Sequence, residues 1–169
     1  MRTHRLTTEL RVAAPLAHVF DFFADAHNLE ALTPPWLRFE VLTPTPIEMR
    51  VGTQIDYRLR VRGLPIRWQS AITAWDPPFR FVDEQIRGPY QRWHHEHTFA
   101  PTDGGTVVRD VVDYRGPGWL IEPLVDRLFV RPDVERIFAY RREQLVAMYG
   151  GVPNGQPIAC DGAPNPTAS

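Results

Sequence analysis

Apolar and polar residues alternate most regularly over residues 54–62, where the odd positions are apolar and the even positions are polar or charged. Because successive side chains of a strand point to opposite faces, this period of two predicts a strand with one dry and one wet face. Such a strand is typical of an antiparallel sheet that is covered on a single side.

The same period of two, broken by turn residues, predicts seven strands in all. The predicted strands cover residues 6–12, 37–43, 53–62, 66–75, 80–87, 91–100 and 106–115. Trp68 and Trp75 are an odd number of positions apart, which predicts that they face opposite sides of their strand.

Helical periodicity interrupts this pattern twice. Pro15 suits a first helical position, and the apolar residues at 16, 19, 20 and 23 share one helical face. A second short helix is predicted near residues 27–32, ended by Pro34 and Pro35. A long amphipathic helix is predicted over residues 119–149, to cover the dry face of the sheet, with a kink or break near Arg131 caused by Pro132.

Composition indicates one soluble globular domain, because 43% of the 169 residues are hydrophobic and 23% are charged. We assign this domain to residues 1–150 and predict that residues 151–169, rich in proline and glycine, form a flexible tail. The formal net charge of -1 gives no reason to expect a nucleic-acid partner, and we expect none. No apolar run is long enough for integral membrane contact, and the single cysteine, Cys160, suits a reducing compartment. We therefore expect a cytoplasmic protein.

Half of the six histidines lie between Trp93 and Phe99. Alternation along this strand places His95 and His97 on the same face as the two bulky aromatic residues, and therefore towards the interior. Two imidazoles in a largely apolar wall indicate a binding cavity or an internally satisfied polar network.

The predicted order of strand, two short helices, six strands and long helix resembles the helix-grip or START-like (SRPBCC) superfamily over about residues 3–149. Four segments, together with the residues at 93, 95, 97 and 99, resemble one bacterial subgroup of cyclase/dehydrase-like proteins, some joined to sugar-nucleotide epimerase-like domains. The segments are residues 33–39, 52–57, 62–65 and 81–90.

The resemblance implies an α+β helix-grip fold, in which a curved seven-stranded antiparallel sheet surrounds a long carboxy-terminal helix. Two short helices follow the first strand. It also implies a cavity between sheet and helix for hydrophobic molecules such as lipids, quinones or polyketides, since apolar walls with a few polar groups suit small-molecule binding.

Three interpretations of His95 and His97 stay open. Their spacing permits metal binding, with a third ligand from Asp83, Glu84, Asp110 or Asp113. They can instead carry protons in an aldol cyclisation or dehydration, oriented by Asp83 or Glu84. Finally, they can form a structural polar seam with neighbouring carboxylates and amides.

We expect a protein that binds a hydrophobic or amphipathic small molecule, with no cofactor and no metal. The first alternative is a cyclase or dehydratase with His95, His97 and Glu84 as catalytic residues. The second alternative is an interaction module for a partner enzyme. The residues expected to bind the ligand are Tyr57, Leu59, Trp68, Asp83, Gln85, Arg87, Tyr90, Trp93, His95, His97, Phe99 and Phe138.

Overall fold

The computed structural model describes residues 3–116, 130–152 and 159–162. Within these ranges, two α-helices, two short 3-10 helices and nine strands follow one another. In chain order they are β1 (His4–Val12), α1 (Leu16–Ala24), the 3-10 helices Ala26–Leu29 and Pro35–Leu37, β2 (Glu40–Val41), β3 (Gln54–Val61), β4 (Leu64–Asp76), β5 (Arg80–Arg87), β6 (Arg92–Thr102), β7 (Gly105–Arg115), α2 (Arg131–Tyr149), β8 (Gly151–Val152) and β9 (Ala159–Gly162).

The first seven strands form the predicted antiparallel sheet. Their spatial order is β2-β3-β4-β5-β6-β7-β1, so that each strand from β2 to β7 pairs with its neighbour in the chain. Hairpin connections of this kind need only short turns, for which Gly63 and Gly104 supply positive φ angles. The sheet and its long helix confirm the predicted α+β helix-grip fold.

The segment after α1 differs in detail from the prediction. Pro35–Leu37 forms a 3-10 turn that ends at Arg38 in a left-handed conformation, with φ of 44°. This turn occupies the start of the predicted strand 37–43, and β2 is therefore reduced to two residues. The predicted short helix near 27–32 is a 3-10 helix over Ala26–Leu29.

The helix α2 presents four buried residues to the sheet, namely Val134, Phe138, Arg141 and Leu145. Pro132 lies in the first turn of α2, a position that proline tolerates. The first part of the predicted long helix falls within residues 117–129, which lie outside the described residues.

Two short strands lie in the region that we expected to be a flexible tail. The strand β8 pairs with Arg11 and Val12 of β1, and β9 pairs with residues 4–7 of the same strand. The tail prediction did not include these pairings. The prediction rested on the low content of large apolar residues in residues 151–169. Pairing between backbone groups needs no apolar side chain, so composition does not reveal it.

Trp68 and Trp75 both pack towards the interior, and the prediction of opposite faces is wrong. Trp68 contacts Trp93, and Trp75 contacts Phe20 and Phe81. The pairing of β4 with β5 shifts register twice between the two tryptophans. One shift skips Ile86 of β5 and leaves the alternation along β4 intact. The other leaves Thr73 as an extra residue on β4, which reverses the alternation of faces there, so counting positions across it fails.

The interior is divided into three groups of packed side chains. One joins α1 to the far ends of β6 and β7, a second joins Val134 and Phe138 of α2 to β1 and β7, and a third lies under β3. The candidate site lies between these three groups, under the middle of the sheet. Of the helices in the described ranges, none has both the length and the apolar character needed to cross a bilayer.

Candidate functional site

A cavity of about 180 Å³ lies between the sheet and α2. For comparison, an apolar cavity of about 150 Å³ inside a protein accommodates a benzene molecule. The walls come from β3 to β6, from α2 and from the segment between α1 and β2. The lining residues are Phe23, Ala26, Leu29, Thr33, Leu37, Phe39, Met49, Ile55, Tyr57, Leu59, Val61, Trp68, Ser70, Ile72, Phe81, Asp83, Pro89, Tyr90, Trp93, His95, His97, Val134, Ile137, Phe138 and Arg141.

The polar groups of the cavity are concentrated at one end, where three central strands meet. In the sheet register, Asp83 of β5 lies opposite His95 of β6, and His97 of β6 lies opposite Asp110 of β7. Because residues two apart on a strand share a face, the two imidazoles stand side by side with a carboxylate on each flank. We call these four residues the His-Asp cluster.

Each carboxylate of the His-Asp cluster contacts both imidazoles. Asp83 Oδ2 lies 3.1 Å from His97 Nε2 and 3.5 Å from His95 Nδ1. Asp110 Oδ1 lies 3.1 Å from His95 Nε2 and 2.7 Å from His97 Nδ1, the last at an angle too poor for a regular hydrogen bond. Every ring nitrogen therefore faces a carboxylate oxygen, on the Asp83 side or on the Asp110 side.

Asp110 lies behind the imidazoles as seen from the cavity. It borders a void of about 10 Å³ together with Thr8 and Arg141, which is about the space of one water molecule. Arg141 Nε lies 3.8 Å from Asp110 Oδ2, and the guanidinium stacks over Phe23 at 5.1 Å. A buried guanidinium thus balances the charge of the deeper carboxylate.

The environment of the cluster is largely apolar and shielded from solvent. His97 stacks on Phe81 with ring centroids 4.2 Å apart, and His95 packs against Phe138 at 5.5 Å. His95 is 5% exposed and His97 is 2% exposed. In such surroundings, charges are stable only when they are paired.

The two imidazoles are driven towards different protonation states. Burial, and then the charge of His97, lowers the pKa of His95 to about 4. Burial also opposes the charge on His97, but hydrogen bonds to Asp110 and Asp83 raise its pKa above the ordinary value. Facing ionised carboxylates, His95 donates from Nε2 to Asp110 and His97 donates from Nε2 to Asp83, while His97 Nδ1 faces Asp110 without a regular hydrogen bond.

Both carboxylates stay ionised despite their burial. The hydrogen bond from His97 and the charges of His95, His97 and Arg141 outweigh burial and lower the pKa of Asp83. For Asp110, burial is outweighed chiefly by the charge of Arg141, and its pKa lies well below the ordinary value. The site therefore combines two negative charges, the guanidinium of Arg141 and two imidazoles held between the carboxylates.

Most of the residues predicted to bind a ligand lie in the cavity wall. The structure places Tyr57, Leu59, Trp68, Asp83, Tyr90, Trp93, His95, His97 and Phe138 there.

Four predicted site residues lie elsewhere. Glu84 contacts His94 Nδ1 at 2.6 Å on the opposite face of the sheet, so that Asp83 and Asp110, not Glu84, orient the imidazoles. The amide of Gln85 bonds to the backbone of Tyr90, Arg87 is exposed, and Phe99 packs in the core beside Phe23.

The prediction of ligand-binding residues missed Arg141 and named Asp110 only as one of four candidate third metal ligands. The sequence pattern contained a signal for the inward orientation of both residues. Asp110 shares its strand face with Val108 and Val112, so period-two alternation points it inwards. Arg141 lies three positions after Phe138 and four before Leu145, which places it in the buried stripe of α2.

An open groove of about 560 Å³ lies beside the cavity. It passes between the start of α2 and the turn joining β3 to β4. Arg62 spans this groove, with Nε 3.0 Å and Nη2 3.1 Å from the carboxylate of Asp133. Trp36 lies under Arg136, 4.9 Å away, on the neighbouring rim. The groove and the cavity share part of their walls, at Leu37, Val61, Pro89, Tyr90 and Ile137.

Comparison with known proteins agrees with this architecture. Residues 12–136 match the model of the family described as polyketide cyclase / dehydrase and lipid transport. No curated protein matches the sequence.

Among solved structures, the Zhui aromatase/cyclase from Streptomyces sp. R1128 is similar, with a TM-score of 0.69 and 19% identity over 86% of this chain and 93% of that chain. A START superfamily protein from Mycobacterium smegmatis has a TM-score of 0.62 and 13% identity over 86% and 99%. A nucleoside-diphosphate sugar epimerase from Corynebacterium glutamicum has a TM-score of 0.60 and 25% identity over 84% of this chain, but only 28% of its own.

Proposed function

Because this chain belongs to the polyketide cyclase / dehydrase and lipid transport family, we propose that it binds a hydrophobic or amphipathic small molecule in the cavity. Family membership supports a hydrophobic-ligand-binding or cyclase role. The observation that carries the choice of binding is the distribution of polarity, with aromatic and aliphatic walls and charged groups gathered at one end. A ligand with one polar end and an apolar body fits this distribution.

The size of the cavity favours a compact ligand or the end of a longer one. Its volume of about 180 Å³ suits one or two fused rings. The groove at the rim allows a chain to extend outwards. At the polar end, Asp83 contacts both imidazoles through Oδ2, so that its other carboxylate oxygen can accept a hydrogen bond from a ligand hydroxyl.

The test is thermal unfolding with three probes of different chemistry, namely 2-naphthol, menadione and laurate. A probe at one hundred times its dissociation constant stabilises the folded state by about 2.7 kcal/mol. For a domain of this size, this raises Tm by roughly 5–10 °C. Native mass spectrometry of the same samples should show one probe molecule per chain.

The control variants use neighbouring positions on β3. Leu59 points into the cavity and Arg60 points to solvent. Leu59→Trp should fill the cavity and abolish the Tm shift of every probe, whereas Arg60→Trp should leave it unchanged.

Three other outcomes would overturn the proposal. Equal binding by the two variants would place the probes outside the cavity. Turnover of a polyketide-like probe, lost in His95→Ala while binding persists, would support the cyclase alternative. A protein that co-purifies stoichiometrically while no small molecule affects Tm would support the partner-enzyme module.

A further inference from the structure

We propose that Asp83, His95 and His97 bind a divalent transition-metal ion, with zinc as the first candidate, at the polar end of the cavity. This inference does not depend on the small-molecule function. It rests on the types of the ligand atoms, on their spacing, on the carboxylate behind them and on the charge of the cluster.

The ligand atoms lie close enough together to surround a small metal ion. One ligand atom from each of the three residues lies within 4.8 Å of the other two. Asp83 Oδ2 lies 3.1 Å from His97 Nε2 and 3.5 Å from His95 Nδ1. Zinc bonds nitrogen and carboxylate oxygen at about 2.0–2.2 Å, which sets tetrahedral neighbours roughly 3.3–3.5 Å apart.

Asp110 supplies the outer contact that metal-binding histidines ordinarily have. A metal-bound imidazole donates its other N–H to a carboxylate, which fixes the tautomer and the ring orientation. Here one carboxylate oxygen of Asp110 faces His95 Nε2 and His97 Nδ1 together. His95 donates to Asp110 from Nε2, and the contact of His97 Nδ1 falls short of a regular hydrogen bond only in its angle. In the tautomer with protons on these two nitrogens, His95 Nδ1 and His97 Nε2 carry the lone pairs on the Asp83 side.

The resulting arrangement needs a cation. Two imidazole lone pairs and a carboxylate oxygen then converge in an apolar environment, where uncompensated acceptors repel one another. With both imidazoles neutral, Asp83 and Asp110 outnumber Arg141 by one negative charge. A divalent ion among these three ligand atoms would bind both lone pairs and the carboxylate oxygen together.

Three protein ligands leave one coordination position of a tetrahedral ion free. Asp83, His95 and His97 all line the cavity, so this position faces the space that a small molecule would enter. Open positions of this kind are typical of catalytic rather than structural zinc sites. A bound ion would carry an excess positive charge at the polar end and would favour a ligand oxygen with negative charge.

The experiment is metal reconstitution of the chelator-stripped full chain. Titration with zinc chloride should give one ion per chain by equilibrium dialysis and elemental analysis. Titration with cobalt chloride should produce visible ligand-field bands with the intensity of a four-coordinate site. The cobalt spectrum reports the ligands in the unaltered protein, so the test holds even where a variant folds poorly.

The matched variants lie on the two faces of the same strands. Asp83→Asn and His95→Ala should each abolish stoichiometric binding and the cobalt bands. His94→Ala removes a histidine that contacts Glu84 on the opposite face, and it should change neither. Asp110→Asn removes the carboxylate that contacts both imidazoles on the side away from Asp83, and it should weaken zinc binding about 10–100-fold.

The proposal is overturned by fewer than one bound ion per two chains under saturating zinc. It is also overturned if Asp83→Asn and His95→Ala bind as well as His94→Ala, which would place the ion elsewhere. Because the measurements use metal alone, the failure of 2-naphthol, menadione and laurate to bind would leave this inference standing.

Discussion

Asp110→Asn should destabilise the protein severely, because it removes the negative charge that holds Arg141 in the interior. Asp110 is 4% exposed and Arg141 is 8% exposed. Removing one member of a buried ion pair costs about 3–5 kcal/mol, since the remaining charge has lost its counter-charge without regaining water. The other carboxylate of the His-Asp cluster, Asp83, already contacts both imidazoles.

The matched control is Asp113→Asn, three residues further along β7. Asp113 contacts Arg5 with two hydrogen bonds of 2.7 Å, which is better geometry than Asp110 has with Arg141. The side chain of Arg5, however, is 50% exposed. An exposed pair contributes only about 0.2–1 kcal/mol. Burial, and not contact distance, should therefore decide the difference between the two substitutions.

Equilibrium urea unfolding measures this difference. At an m-value near 2 kcal/mol per molar urea, Asp110→Asn should lower the midpoint by roughly 1.5–2.5 M and Asp113→Asn by less than about 0.5 M. The double variant Asp110→Asn with Arg141→Met should regain part of the loss, because it removes both charges together. Equal midpoints for the two single variants, or full additivity in the double variant, would refute the reasoning.

Two further substitutions test the sheet and the groove. Gly105→Ala should destabilise the protein far more than Gly52→Ala, because a Cβ at residue 105 would lie 2.0 Å from the carbonyl oxygen of Val12. A Cβ at residue 52 would meet open space, and the only cost there is the positive φ. Urea unfolding midpoints of the two variants measure the difference, and equal midpoints would contradict the steric argument. Arg62→Ala removes a contact across the groove, so it should speed both entry and exit of 2-naphthol in stopped-flow fluorescence with little change in affinity. The control Arg58→Ala removes an ion pair on the sheet surface and should leave both rates unchanged. Unchanged rates in Arg62→Ala would exclude the groove as the route.

The fold could be predicted from the sequence because its strongest signals are local. Alternation over β3 and the spacing of apolar residues in α1 each follow from the geometry of one element. The inward orientation of His95 and His97 is local in the same sense. Trp68 and Trp75 show the limit, since a strand irregularity between them reverses the outcome of counting positions.

The composition of the site could be predicted only in part, because it depends on the register between strands. Four carboxylates were plausible neighbours of the histidines, and the structure brings Asp83 and Asp110 to them while it places Glu84 and Asp113 on the outer face. Register is decided by the packing of the whole sheet, so no single strand reveals it. Arg141 was missed because a charged residue in an apolar stripe is usually solvated at its tip.

The two short strands β8 and β9 have a consequence for how this chain can be shortened. They cover residues 4–7 and 11–12 of β1, on the side turned away from β7. Without them, a long terminal strand would present a row of unpaired amide and carbonyl groups, which is a template for joining another molecule. A variant that ends at residue 150 should therefore retain the cavity but self-associate and precipitate with rising concentration.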